Sequence, residues 1–325
     1  MKTVAPLLLC AASTLAQQYY AQAPVANVQS MNAAQKEALM FELFREMDVV
    51  DAMHLTGHGA GLDEKVLVQV FDEDAPRWMT EGDKYRLKRE NRAFMDVTDH
   101  QRLGQLNAAR PSQLHTAPLS LSKGNHAKKT LEKLFKSHDT WEENLKADIE
   151  VLSGFYTRNY RSDWGRKSSD WVYEHVEGIL ANSTLKTSVK KFTHRFPQSS
   201  VIARIEDPND DTEDKTVIIV GAHQDSLNYF LPWYRAPGAD DDGSGSVTVF
   251  QILRSLVEQN FTPPRGLAIE CMLFAAEEGG LLGSQDIAAS YEKEGRKVKG
   301  MLQVSVDCGF GVLRTESIPK PTRWI

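Results

Sequence analysis

The chain is expected to fold as an α/β protein, with a mixed, mostly parallel central sheet, helices on both faces, and a small separate segment in front. Three observations predict this. Between residues 189 and 306, short apolar runs of strand length alternate with longer amphipathic runs of helical period. Residues 267–275 form an apolar run of the kind a strand covered on both faces requires. Finally, His223, the run Asp240, Asp241 and Asp242, and the pair Glu277 and Glu278 each read as sitting at the end of, or just after, an apolar strand-type run. Open α/β sheets gather their ligands outside the carboxyl ends of their strands.

With 325 residues, 41% hydrophobic and 25% charged, the chain has ordinary globular composition and room for one large domain plus accessory segments. Its net charge of −6 and the lack of a basic block argue against a nucleic-acid or membrane-surface role. Residues 1–16 read as a secretory signal: Lys2, a short apolar run and small residues before Gln17. The apolar run is too short to span a bilayer. The protein is therefore expected to be secreted or vacuolar, and the triplets beginning at Asn182 and Asn260 are candidate N-glycosylation sites. Cys10 leaves with the signal, so Cys271 and Cys308 are the cysteines that could pair.

Residues 17–110 carry little apolar mass and are expected to form a propeptide or accessory segment that packs on something larger. Within it, Leu39, Met40, Leu43, Phe44, Met47 and Val50 recur at helical spacing, residues 66–71 form a strand candidate, and residues 78–100 are charged and only partly periodic. A low-order connection with Pro111, Pro118 and Gly124 follows, and maturation is expected between Asp99 and Leu131. The main domain, residues 111–303, starts with a helix capped at Asp139 and stopped at Gly154, presenting Trp141, Leu145, Ile149 and Leu152 on one face. A second helix is expected over 168–181, with Trp171, Val172, Val176, Ile179 and Leu180 inward. Strands follow at 189–194, 201–205 and 216–221, the last two separated by an acidic stretch, 207–214, that reads as a solvated hairpin connection. A helix over 244–259 ends at Pro263 and Pro264, the strand 267–275 follows, then a helix over 281–294 and a strand over 298–306.

The chemistry sits at the strand ends. His223 follows its strand closely, and Asp225 can reach the ring nitrogen turned away from a metal. Helix capping needs only one of Asp240, Asp241 and Asp242, and a divalent cation explains the excess charge. Gly238 and Gly243 allow a tight turn around them. Adjacent residues of a strand face opposite ways, but at its end Glu277 and Glu278 can turn toward one cavity, one to bind metal and the other to accept a proton. Tyr229, Phe230 and Trp233, on the loop after His223, fit either a cleft rim or a packed loop.

Together, the HQDS, PGADDDGSG and AAEEGGLLGS motifs and the stretch GFYTRNYRSDWGRKSSDW resemble the secreted zinc aminopeptidases of the M28 type, the fungal leucine aminopeptidase group. The resemblance covers most of residues 130–303, and WMTEGDKYRLKRENRAFMDVTD resembles the end of that group's propeptide. It implies two zinc ions, with His223 on one, Glu278 on the other and Asp241 bridging them, about 3.5–4 Å apart. It implies Glu277 as general base, a cis peptide between Asp241 and Asp242, the free N-termini of peptides as substrate, and the protein's own propeptide as a partner of a monomeric enzyme.

The pattern breaks after Gln303. Ser305 stands where the group has an aspartate ligand, Asp307 lies two residues beyond, and no histidine follows His223. Residues 304–325 therefore read as an atypical tail, which intron read-through from a Val-Ser codon pair would explain, and the catalytic domain reads as C-terminally incomplete. Two other readings stay open: an inactive chain that only binds peptides or partners, and a single-zinc relative resembling glutaminyl cyclases.

Overall fold

The computed structural model describes residue 32 and residues 47–55, 58–105, 141–229 and 231–305. Among the described residues, contacts divide the chain into two compact units, the smaller drawing on those up to residue 65 and within 79–92 and 229–232, and the larger on the other described residues.

Among the described residues of the smaller unit are the helices α1 (Val49–Leu55) and α2 (Glu81–Arg89). The residues that open α2 explain it: Thr80 Oγ1 accepts from the Asp83 amide at 3.1 Å while Asp83 accepts from the Thr80 amide at 2.7 Å, a reciprocal cap. Arg86 then grips Asp48 with two hydrogen bonds of 2.8 and 2.6 Å. The charged stretch that offered little periodicity thus holds a capped helix. The helical spacing expected from Leu39 onward lies largely outside the described residues, as does the cap expected at Asp139.

In the larger unit, β1 (Lys65–Val70), which begins at its boundary, pairs antiparallel with β3 (Phe94–Asp96); the strand β2 (Arg77–Thr80) crosses the unit boundary after Trp78 and leads into α2. Residues 96–104 are fastened by polar contacts. The Asp96 amide donates to the Gly280 carbonyl at 3.0 Å, His100 meets Asp286 at 2.6 Å, and the Gly104 amide donates to Glu292 at 3.1 Å.

The main sheet is built from β4 (Lys186–Phe192), β5 (Ser200–Glu206), β6 (Thr216–His223), β7 (Leu267–Phe274) and β8 (Val298–Gln303), in the order β4-β5-β7-β6-β8. It is mixed, as expected: β4–β5 and β5–β7 are antiparallel, while β6–β7 and β6–β8 are parallel, so β5 runs against the other four strands. The expected hairpin between β5 and β6 is corrected, because β7 lies between them. The 207–214 stretch is also less solvated than its charge suggests: Asp210 is buried and accepts from the Gly266 amide at 2.8 Å.

Helices α3 (Trp141–Gly154), α4 (Asp163–Leu180) and α5 (Gly245–Glu258) cover one face, where Leu152, Val172, Val176, Phe250 and Leu253 meet Val201, Ala203 and Leu273. The other face takes α6 (Leu282–Glu294), whose Ile287 and Tyr291 pack with Ile202, Ile219 and Met272. The period-two alternation of β5 and β7 sends neighbouring residues to opposite layers. Helix α4 starts five residues earlier than its apolar spacing suggested, because Ser162 caps it through the Gly165 amide at 2.9 Å. Within β7, Glu270 is buried and balanced by Arg204 at 2.6 Å, with the Tyr291 hydroxyl donating to it at 2.6 Å. Cys271 beside it is a free buried thiol, pushed up to about 12 by burial; Cys308 lies outside the described residues. Strand β8 is exposed along most of its length. Among the described residues, no helix is long and apolar enough to cross a membrane.

Candidate metal centre

Three chain segments build the site. His223 is the last residue of β6 and is 3% exposed. Its backbone amide donates to Asp242 at 3.2 Å, its Nδ1 lies 3.3 Å from Asp225 and its Nε2 lies 3.0 Å from Asp241 Oδ1. The ring is thus held from behind by one carboxylate and presents its other nitrogen to a second, the arrangement that orients an imidazole ligand.

The aspartate run divides into three environments. Asp240 is exposed, Asp241 is half-buried beside His223, and Asp242 is fully buried. Asp242 also accepts from the Gly245 amide at 3.0 Å, so it ties β6 to the start of α5. The run divides its contacts: Asp242 serves the backbone and Asp241 faces the imidazole. Burial pushes Asp242 up to about 7. The turn starts at Gly238, whose φ of +50° favours glycine, and it closes with a 3.0 Å bond from the Gly243 amide to the Gly238 carbonyl. The Asp241–Asp242 peptide is cis, as the resemblance implied.

Beyond β7, Ala276 has a φ of 55°, which swings the chain out of the strand. Glu277 and Glu278 consequently direct their consecutive amides at one acceptor: Asp225 Oδ1 takes the first and Oδ2 the second, each at 3.0 Å. Asp225, fully buried, therefore joins the end of β6 to the turn after β7. The sequence pointed to Asp225 only as an orienter of His223. Its two amide contacts are visible only once β6 and β7 are known to be neighbours. Glu278 is 5% exposed and Glu277 less enclosed.

Electrostatics reflect this concentration of carboxylates. Burial alone would lower the His223 pKa, but hydrogen bonds to Asp225 and Asp241 and the charge of Glu277 raise it well above the ordinary histidine range. The donor set suits a divalent cation in chemistry, with one imidazole nitrogen beside a carboxylate and two further carboxylates on the next turn. Among the described residues, no three His, Cys, Asp or Glu side chains converge into a complete cage. Ser305 is exposed and Asp307 lies outside the described residues, so the ligand position after β8 is not among those brought together. Tyr229 lies under the Lys88 ammonium, 5.6 Å from its ring centre, in the smaller unit; Phe230 is not described. Asn182 and Asn260 are exposed, and Thr184 of the first triplet donates to Asn260 at 2.6 Å.

Residues 200–306, which carry all three segments, match Peptidase family M28. Leucine aminopeptidase 1 of Pyrenophora teres f. teres is 38% identical over 278 residues, covering 82% of this chain and 69% of the relative. The chain belongs to peptidase family M28. Leucine aminopeptidase 1 of Trichoderma harzianum is 42% identical over 273 residues (82% of this chain, 65% of that protein), and that of Leptosphaeria maculans is 43% identical over 231 residues (70% and 57%). The M28 chain thus spans between 57% and 69% of the length of these three relatives. Among solved structures, the Legionella pneumophila LapA aminopeptidase shares the fold, with a TM-score of 0.58 at 21% identity over 74% of this chain and 66% of that one.

Proposed function

We propose that this M28 chain is the peptidase part of a secreted zinc aminopeptidase that releases N-terminal residues, leucine and other apolar ones preferred, from peptides. The observation that supports the reading best is the meeting of His223 with Asp241 while Asp225 holds both His223 and the amides of Glu277 and Glu278. The leucine aminopeptidases similar to it point to the same reaction class and to an apolar first residue.

His223, Asp241 and Glu278 would hold zinc, with Asp241 shared between two ions and Asp307 the remaining candidate. Zinc, when bound, lowers the pKa of water toward about 7 and polarises a carbonyl. The protein's own groups do the rest. Asp225 holds the imidazole from its Nδ1 side, so that a cation would replace the Nε2 proton that faces Asp241. Glu277, the less enclosed of the pair, takes the proton of the attacking water and delivers it to the departing amine nitrogen. The substrate's free α-amine is anchored at the same carboxylate-rich site, which restricts cleavage to chain ends. Residues 17–110 would serve as its propeptide and the mature protein would act as a monomer.

Zinc content and hydrolysis of a leucyl anilide, measured on the purified chain, test this. Two zinc ions per chain with turnover that a chelator abolishes is the expected result. A folded protein with neither metal nor turnover would overturn it in favour of an inert peptide-binding chain. A single zinc with cyclisation of N-terminal glutamine would reassign it to cyclase chemistry.

A further inference from the structure

Arg158 lies on the irregular stretch between α3 and α4, and its side chain is fully buried. All of its observed acceptors are backbone carbonyls. Nε donates to Gln224 at 2.7 Å, Nη1 to Leu152 at 3.1 Å and to Pro237, and Nη2 to Gly238 at 2.9 Å. Its own amide donates to Ser226 Oγ at 3.1 Å, and that hydroxyl donates to the Ala236 carbonyl at 2.8 Å. Gln224 follows His223 directly, while Pro237 and Gly238 open the turn that carries Asp241. One planar guanidinium therefore fastens the exit of β6 to the entrance of the aspartate turn, and a fork of donors can do so at several carbonyls at once.

A buried arginine that spends its donors on carbonyls is costly unless charge nearby offsets the loss of water. Here the offset comes from the site. Burial lowers Arg158 to about 10, while Asp225, Asp242, Asp241 and Glu278 all act to hold its charge. The attraction runs both ways, and it stabilises carboxylates crowded together before any cation arrives. Space is equally tight: a Cβ on Gly238 would stand 2.9 Å from Arg158 Nη2.

We propose that Arg158 is a positioning residue for zinc binding, setting the separation of His223 and Asp241 through the carbonyls of Gln224, Pro237 and Gly238. The proposal rests on the zinc aminopeptidase reading above. Lysine keeps the charge but cannot reach several carbonyls in one plane; methionine keeps neither charge nor donors. The test is zinc affinity, read by chelator competition, together with kcat, KM and melting temperature, for the wild-type chain, R158K, R158M and the core control L253A. About 10–100-fold weaker zinc binding is expected in R158K, the scale seen when groups supporting metal ligands are removed. R158M should bind more weakly still, and the loss should fall on kcat rather than KM. L253A should melt earlier with unchanged zinc affinity. Equal zinc affinity in wild type and in whichever arginine variant folds would overturn the proposal. Should neither fold, S226A, which loosens the same link, must bind zinc several-fold more weakly, and an unchanged affinity there overturns it equally. A wild-type chain that binds no zinc refutes the parent reading instead.

Discussion

Replacing Asp225 with asparagine changes almost nothing in shape and should weaken the protein and its site together. Asp225 is fully buried and accepts the Glu277 amide on one oxygen and the Glu278 amide on the other, each at 3.0 Å. In D225N one of those oxygens becomes an NH2 group, so a donor faces a donor whichever way the amide is turned. At least one amide is left unsatisfied in a buried setting, costing about 1–3 kcal/mol. At roughly 2–4 °C per kcal/mol for a domain of this size class, melting should fall by about 2–12 °C. The Glu277–Glu278 turn should also lose its anchor to β6, and zinc affinity should drop about 10–100-fold. Thermal denaturation by circular dichroism, with and without saturating zinc, is the assay. A D225N protein that melts within a degree of wild type and retains its zinc would refute the idea that Asp225 joins the two halves of the site.

Other expectations concern single groups. Glu277→Gln should lower kcat by about 10²–10⁴-fold while leaving zinc stoichiometry intact, the signature of a lost proton acceptor rather than a lost ligand; loss of metal in E277Q would move Glu277 into the ligand set. Leu253→Ala empties a site in the fully enclosed layer between α5 and the sheet and should cost about 2–5 kcal/mol by urea denaturation, with a smaller loss indicating that neighbours collapse into the space. Glu206 predicts a pH dependence. Burial would raise its pKa, but hydrogen bonds from Lys186 and Arg204 win and bring it from 4.5 down to about 2. Its stabilising contribution is therefore complete above about pH 4.5 and disappears as pH falls through about 2. The melting difference between wild type and E206Q should shrink across that window, and a constant difference would show that the carboxylate charge is not what matters.

The elements were legible where burial imposes a period. Strands β5, β6 and β7 and helices α3, α5 and α6 lie close to where their apolar spacing placed them, because each must hide one face or both. Polar capping was harder to read: Ser162 moved the start of α4 forward, and the Thr80–Asp83 cap built α2 in a stretch whose apolar residues showed little order. The stretch containing Arg158 was visible as part of a motif, yet nothing local singled out that residue. An arginine in an aromatic, turn-rich segment between two helices was the available signal, and its meaning depended on partners near residues 224 and 238.

By itself, the sequence determined the chemistry on offer: His223 and the glutamate pair at the ends of β6 and β7, and the three aspartates on the turn that leads into α5. Only the tertiary structure decided how those ends are joined. Because β7 inserts between β5 and β6, the chain ends of β6 and β7 come to lie side by side, and Asp225 can take both glutamate amides. The same neighbourhood places Asp242 against the backbone and leaves Asp241 for the imidazole. Strand pairing is a long-range choice, set by which faces bury together. A local run of residues carries the pieces of the site but not their distances.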